Sequence, residues 1–143
     1  MIGLIISGHG NFASGLHTSL NLIAGEPCNI EYVDFEATDS TEDLRKKYYT
    51  AVENLSKCAS ILALSDLAGG SPFKTLVEVK TEIEKPMEVI GGTNLPMLLE
   101  ISMTKDIADD LNSLSESAIE IGKSGVVKFE LIIHEDEESE DGI

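Results

Sequence analysis

The residue best suited to chemistry in this 143-residue sequence is His9, which stands between Gly8 and Gly10. The apolar run at residues 2–6 predicts a buried strand, and Asn11 can cap a helix that begins directly after the following turn. His9 would therefore lie in a turn after the carboxyl end of a strand and before a helix, where open α/β sheets bind ligands. An imidazole at such a position can act as a base, a metal ligand or a nucleophile.

A second loop carries groups that suit such a histidine. Asp66 directly follows the apolar stretch 59–65, and Gly70 and Ser71 stand where the next helix is expected to begin. If the first and third strands are neighbours, the carboxylate can accept a proton from one ring nitrogen of His9, which leaves the other nitrogen free to attack phosphorus. Backbone N–H groups and a hydroxyl at a helix start would bind phosphate oxygens. These residues predict a phosphohistidine site.

Other interpretations of the same residues stay open at this point. A histidine between glycines can be a simple turn residue, Asp66 can be a turn or capping residue, and Gly-Gly-Ser-Pro is an ordinary helix entry. The sequence has no P-loop motif, and alanine at position 13 breaks the glycine pattern of dinucleotide-binding folds. Histidine phosphatases use Arg-His-Gly, whereas Gly8 precedes His9 here. A metal site needs more ligands than His9 and Asp66. We interpret His17 as a surface or boundary residue and His134, which borders the tail, as inert.

Length and charge limit the class of protein. A chain of 143 residues suits a single domain, and 42% apolar with 25% charged residues is ordinary for a globular protein. The net charge is −16, and taking away the six acids within residues 135–141 leaves −10. Nucleic acid is therefore not an expected partner, because binding it needs a basic surface. The acidic surface would attract a basic protein patch, or its charge serves only to keep the protein in solution. The sequence shows no membrane span or secretory signal, and Cys28 and Cys58 have no metal spacing, so we expect a cytoplasmic protein with reduced thiols.

The hydrophobic pattern predicts strands and helices in the order β-α-β-α-β-α-β-α-α-β. This order indicates a single three-layer α/β domain over residues 1–133, with a mainly parallel central sheet. Strands are predicted at 2–7, 30–35, 59–65, 87–90 and 126–133, and the first helix at about 12–24. Helix signals are a stop at Gly25, a capping box at 39–42, N-caps at Ser71 and Asn94, and a stop at Gly122. Core-facing helix positions are Phe12, Leu16, Leu20, Ile23, Leu44, Tyr48, Val52, Leu55, Leu76 and Val77. The acidic tail, residues 134–143, is predicted to be disordered.

Three motifs resemble those of a known protein family. They are LIISGHG at residues 4–10, LSDLAGGSPF at 64–73 and GGTNLPM at 91–97. In type, order and spacing they are similar to the IIA domain of the mannose-family sugar phosphotransferase system. The resemblance extends over residues 1–133 and leaves out the acidic tail.

The resemblance implies a function for several residues. His9 matches the histidine that accepts a phosphoryl group from the phosphocarrier protein HPr and passes it to a IIB component, while sugar enters through the membrane components IIC and IID. Asp66 matches the aspartate that hydrogen-bonds the histidine ring, and Gly70 and Ser71 match the loop beside the phosphoryl group. No metal or cofactor is implied.

The resemblance also implies an assembly. Members of the family form homodimers in which the last strand, here residues 126–133, crosses to the partner's sheet and runs antiparallel to it. Many members continue through a linker into IIB. Because this sequence ends at Ile143, we expect IIB to be a separate polypeptide.

Two other functions are compatible with the same motifs. A IIA-like subunit of a phosphoenolpyruvate-dependent dihydroxyacetone kinase carries a similar histidine and would phosphorylate a kinase-bound nucleotide. A regulatory module of the same fold would bind partners without transferring phosphate. A hydrolase that uses His9 as a base is disfavoured, because the sequence has no serine or cysteine in a nucleophile elbow.

Overall fold

The structure is a computed structural model that describes residues 1–133. These residues form four strands and five helices, which alternate along the chain except that the last two helices follow each other. The strands are β1 (Ile2–His9), β2 (Ile30–Phe35), β3 (Ser60–Ser65) and β4 (Met87–Ile90). The helices are α1 (Phe12–Ala24), α2 (Thr41–Asn54), α3 (Ser71–Glu82), α4 (Leu95–Thr104) and α5 (Leu111–Ser124). None of these helices is long and apolar enough to cross a bilayer.

All four strands are parallel and lie in the order β2-β1-β3-β4. The predicted adjacency of the first and third strands is therefore confirmed, with Ser7 opposite Ser65. The strand β1 continues two residues beyond the predicted end, so that His9 is its last residue and pairs with Phe35 rather than lying in a turn. Since parallel strands end at one edge of the sheet, the loops after β1 and β3 meet there.

Helices cover both faces of the sheet and form two hydrophobic cores. Successive strand residues point to opposite faces, so Leu4 and Ile6 pack beneath α1, α4 and α5, whereas Ile5 packs beneath α2 and α3. All three side chains are fully buried. The nearly all-apolar sequence of β1 and β3 follows from this double coverage, as expected for a parallel sheet. The predicted three-layer α/β domain is confirmed.

Several helix ends differ from the predictions. Gly70, rather than Ser71, is the N-cap of α3, and Ser71 is its first helical residue. The capping box of α2 uses Ser40 and Asp43, one position later than predicted. The helix α5 continues through Gly122, because that glycine lets the helix pack on Met97.

The remaining differences concern exposure and one cap. Asn94 caps α4 through its side chain as predicted, whereas Asn11 is an N-cap whose side chain makes no capping bond. Ile23 and Val77, predicted to face the core, are exposed because they lie at the margins of the buried helix faces.

Residues 126–133 form no strand on the chain's own sheet. Their six apolar side chains are between 68% and 82% exposed: Val126, Val127, Phe129, Leu131, Ile132 and Ile133. An antiparallel strand that depends on a second copy cannot form within one chain, so this element stays a prediction. His134 and the acidic tail lie outside the described residues.

Candidate functional site

His9 lies at the carboxyl-terminal edge of the sheet, where β1 ends. Its backbone is fixed by the pairing of β1 with β2, and the next residue, Gly10, donates its N–H to Phe35 O at 2.8 Å. Gly10 has φ +59°, a conformation that favours glycine and lets the chain turn at once into α1. The histidine is therefore held by regular structure on one side and a tight turn on the other, while its side chain is 48% exposed.

Asp66 holds the ring of His9 in one orientation. Its Oδ2 accepts a hydrogen bond from His9 Nδ1 at 2.8 Å and a second from the backbone N–H of His9 at 2.9 Å. The Asp66 side chain is only 15% exposed. Because a carboxylate only accepts, Nδ1 carries the proton, and Nε2 is the nitrogen with the free lone pair. No hydrogen bond within residues 1–133 engages Nε2.

The same contacts keep the carboxyl of Asp66 ionised. Burial raises the pKa of Asp66, but the hydrogen bonds from the backbone and the ring of His9 outweigh it and hold the pKa below its ordinary value. An ionised carboxylate on Nδ1 favours the positively charged ring that forms when Nε2 bears a phosphoryl group. The electrostatics of the pair therefore suit a nucleophilic imidazole.

Two further contacts restrict the His9 ring. Phe35 meets it edge to face, with 5.9 Å between the ring centroids and 62° between the planes. A methyl group on Gly70 would lie 3.0 Å from His9 Cε1, so the absence of a side chain there allows the loop to approach. Gly70 therefore lies beside the ring, and its predicted role in binding the phosphoryl group stays a prediction. Phe35 was missed, although its position at the end of a neighbouring strand could have indicated it.

The loop after β4 supports the loop that carries Asp66. Gly91 packs so tightly on this loop that a methyl group on it would lie 2.6 Å from Ala68 Cα. The backbone N–H of Thr93 donates to Ser65 O at 3.0 Å, directly before Asp66. Asn94 then caps α4 and donates to Gly122 O on α5 at 2.9 Å. The third sequence motif therefore supports the Asp66 loop and makes no hydrogen bond to the ring of His9.

The other candidate residues are separate from this pair. Ser71 begins α3 next to Gly70, and no hydrogen bond within residues 1–133 joins its hydroxyl to His9. His17 bonds Glu26 at 2.8 Å and stacks on Tyr32, a partly buried position that agrees with the predicted boundary location. Cys28 is exposed and Cys58 is buried, and both are free thiols. Within residues 1–133, no three His, Cys, Asp or Glu side chains are grouped to hold a metal ion.

Comparison with known proteins assigns the chain to a family. Residues 3–119 match the family described as "PTS system fructose IIA component". The chain belongs to this family, the mannose-type IIA components of the sugar phosphotransferase system. The resemblance carried by the three sequence motifs is therefore confirmed.

Individual relatives agree with the family assignment. A fructose-specific EIIA component of Bacillus subtilis is 32% identical over 127 residues, which cover 85% of this chain and 86% of that protein. A solved EIIA structure from Streptococcus agalactiae superposes with a TM-score of 0.83 at 32% identity, over 90% of this chain and 97% of that one. The mannose-specific EIIAB component of Escherichia coli is 34% identical over 125 residues, which are 87% of this IIA chain but only 38% of the longer relative.

Gly8 gives a direct test of how tightly the site of this IIA chain is packed. A methyl group there would lie 2.6 Å from Phe12 Cδ2 and 2.8 Å from Asp66 Cγ. We expect Gly8→Ala to lower the free energy of unfolding by about 1–3 kcal/mol and to displace the carboxylate from His9. Gly15→Ala is the matched control, because nothing lies within 4 Å of its methyl position in α1. That change should raise stability by about 0.5–1 kcal/mol. Urea denaturation of both variants checks the prediction, and equal effects would contradict the packing argument.

Proposed function

We propose that this chain is a phosphohistidine carrier that accepts a phosphoryl group from HPr on His9 Nε2 and passes it to a IIB component. The observation that supports this most strongly is the ring itself: Asp66 binds Nδ1 at 2.8 Å, Nε2 is bare, and the side chain is half exposed at the sheet edge. Membership of the IIA family gives the arrangement its biochemical context. The sugar-specific names of the relatives favour the sugar pathway over a dihydroxyacetone kinase.

The transfer is an in-line displacement at phosphorus. The lone pair of His9 Nε2 forms the new P–N bond while the bond from phosphorus to the donor histidine breaks, and the electron pair of that bond stays on the donor ring. The proton on Nδ1 stays in its hydrogen bond to Asp66 Oδ2, so that no proton needs to move within this chain. The protein contributes orientation and charge stabilisation, which are the main contributions in phosphoryl transfer. We propose that the phosphoryl oxygens bind at the N-terminus of α3, where Ser71 donates to them. The N–H of Gly70 already donates to Leu67 O at 3.1 Å, so we propose that Gly70 contributes the open space beside the ring.

The acidic surface of the chain supports the choice of partner. A net charge of −16 favours encounter with a basic patch and speeds association at low ionic strength. A carrier must release each partner after every transfer, so the interfaces should be small, on the order of 1,200 Å² or less. We propose HPr and IIB as the two direct partners, with the membrane components IIC and IID acting through IIB.

Reconstitution tests the carrier function directly. The chain is incubated with phosphoenolpyruvate, the general phosphotransferase enzymes and HPr, and acid-labile phosphate on His9 is measured by mass spectrometry. A IIB component of the mannose family is then added. The proposal expects phosphate on His9 first and on IIB afterwards. An unphosphorylated chain would contradict the carrier function and leave a regulatory module, whereas a phosphorylated chain that cannot supply IIB would contradict the sugar pathway.

The exposed C-terminal segment leads to a proposal about assembly. The strand β4 forms one edge of the sheet, and residues 126–133 carry six exposed apolar side chains. We propose that this segment adds to the sheet of a second copy and forms the homodimer. Truncation after residue 134 removes the acidic tail and should leave the dimer intact, whereas truncation after residue 125 should give a monomer. Light scattering measures both, and a monomer already in the first truncation would place the tail within the dimer interface.

A further inference from the structure

Tyr48 places a hydroxyl group directly beneath the site. It belongs to α2 and is fully buried. Its hydroxyl oxygen lies 2.7 Å from Ser7 Oγ on β1 and 3.3 Å from Pro72 O in the first turn of α3. A single side chain from α2 therefore connects the strand that ends in His9 with the helix that begins after Gly70.

The direction of each hydrogen bond follows from which oxygen carries a proton that it can donate. Ser7 Oγ donates its only proton to Val33 O at 2.8 Å, so its oxygen accepts from the hydroxyl of Tyr48. Pro72 O is a carbonyl and can only accept, so the Tyr48 proton is shared between the two oxygens. Burial raises the pKa of Tyr48, and the charge of nearby Asp66 acts in the same direction, so the hydroxyl keeps its proton at neutral pH. The Tyr48 hydroxyl is thus a hydrogen-bond donor at all times in a buried, polar network.

The two ends of the network flank the reacting ring. Ser7 lies two residues before His9 on a regular strand. Pro72 lies two residues after Gly70, and a methyl group on Gly70 would point at His9 Cε1. A shift of α3 along its axis would move Gly70 relative to the ring. Hydrogen bonds inside a low-dielectric core fix such distances more strongly than apolar packing, which has no direction.

We infer that Tyr48 is a positioning residue for the phosphohistidine site: its hydroxyl sets the distance between His9 and the N-terminal turn of α3, and it makes no contact with the phosphoryl group itself. The inference rests on the proposed carrier function, since the distance matters for the group that is transferred between these elements. Phenylalanine at position 48 keeps the ring that packs in the core and removes only the donor.

Rapid-quench kinetics with phosphorylated HPr test the inference. Tyr48→Phe should slow transfer within the complex roughly 10-fold, inside the 100-fold that a misplacement of about 1 Å can cost, with unchanged affinity for HPr. The affinity stays because Tyr48 has no exposed surface. Tyr49→Phe is the matched control, since it removes a hydroxyl from the same helix that bonds Glu82 at the surface. Unchanged transfer in Tyr48→Phe, or an equal loss in Tyr49→Phe, would overturn the positioning role.

Ser7→Ala removes the oxygen that accepts the hydrogen bond from Tyr48. It gives a second test of the same contact if Tyr48→Phe folds poorly. The double variant with Tyr48→Phe should lose less rate than the product of the two single losses, because both changes break the contact between Ser7 and Tyr48, although each also removes one further bond, to Val33 O or to Pro72 O. Multiplied losses would show that the two hydroxyls act separately and would overturn the inference.

A measurement without any phosphoryl donor tests the positioning role separately from the proposed function. Nitrogen-15 spectra of the unphosphorylated chain should show shifted His9 ring and Gly70 amide signals in Tyr48→Phe but not in Tyr49→Phe. Unmoved signals would overturn the positioning role, even in a chain that HPr phosphorylates. Shifted signals in a chain that HPr never phosphorylates would support the positioning and contradict the carrier function alone.

Discussion

Replacing His9 by alanine is expected to abolish phosphoryl acceptance from phosphorylated HPr while the protein stays folded. The imidazole supplies the nitrogen that would accept the group, and no other side chain within the described residues hydrogen-bonds Asp66 Oδ2. The cost in stability should be small, about 1 kcal/mol, because the side chain is 48% exposed and loses one hydrogen bond. Mass spectrometry after reconstitution measures acceptance, and thermal unfolding measures stability.

His17 provides the control for this substitution. It is also a half-buried histidine with one carboxylate partner, Glu26, at 2.8 Å, but it lies on α1 away from the sheet edge. His17→Ala should lose a comparable amount of stability, about 1 kcal/mol, and keep full acceptance. Phosphate that persists on the His9→Ala chain would mean that another residue is the acceptor.

Replacing Asp66 by asparagine should slow phosphoryl transfer without removing the acceptor nitrogen. The amide has the size of the carboxyl group, but it carries no charge to stabilise the cationic phosphoimidazole ring. Its NH2 group can also donate to Nδ1 and so favour the wrong tautomer. In a serine protease triad the equivalent change costs about 10⁴-fold, and a loss of roughly 10²–10⁴-fold is expected here. Single-turnover kinetics with phosphorylated HPr measure the rate.

Asp34→Asn is the matched control for Asp66→Asn. Asp34 lies at the same edge of the sheet and accepts a hydrogen bond from the backbone N–H of Ser14 at 3.0 Å, with no bond to His9. The rate of transfer should change little in that variant. Equal rates for Asp66→Asn and the unmodified chain would show that the carboxylate does not orient the ring.

The sheet and the pairing of His9 with Asp66 could be predicted, because the hydrophobic pattern of each strand determines them. The apolar runs of β1 and β3 indicate strands covered on both faces, and short connections through helices require them to be parallel. Once these strands are neighbours, residues at their carboxyl ends must meet, which brings Asp66 to His9. The pattern of the sequence thus predicts that His9 and Asp66 lie side by side.

Features that depend on distant contacts were not accessible in this way. Gly91 acts through Ala68, which is far away in sequence, and the contact of Phe35 with the His9 ring follows only once β2 is known to pair with β1. Tyr48 fits the apolar stripe of α2, and only the structure shows where its hydroxyl goes. Gly122 has the signature of a helix stop, but packing against Met97 overrides it. The strand predicted at residues 126–133 needs the sheet of a second copy to pair with, so the structure of one chain does not test it.

The central claim is that Asp66 holds His9 with Nδ1 protonated and Nε2 ready to receive phosphorus. Nitrogen-15 and phosphorus-31 spectra of the chain, labelled at histidine and phosphorylated through HPr, test it most directly. We expect phosphorus to couple to Nε2 of His9, with the proton retained on Nδ1. Phosphorus bound to Nδ1, or to a residue other than His9, would contradict it.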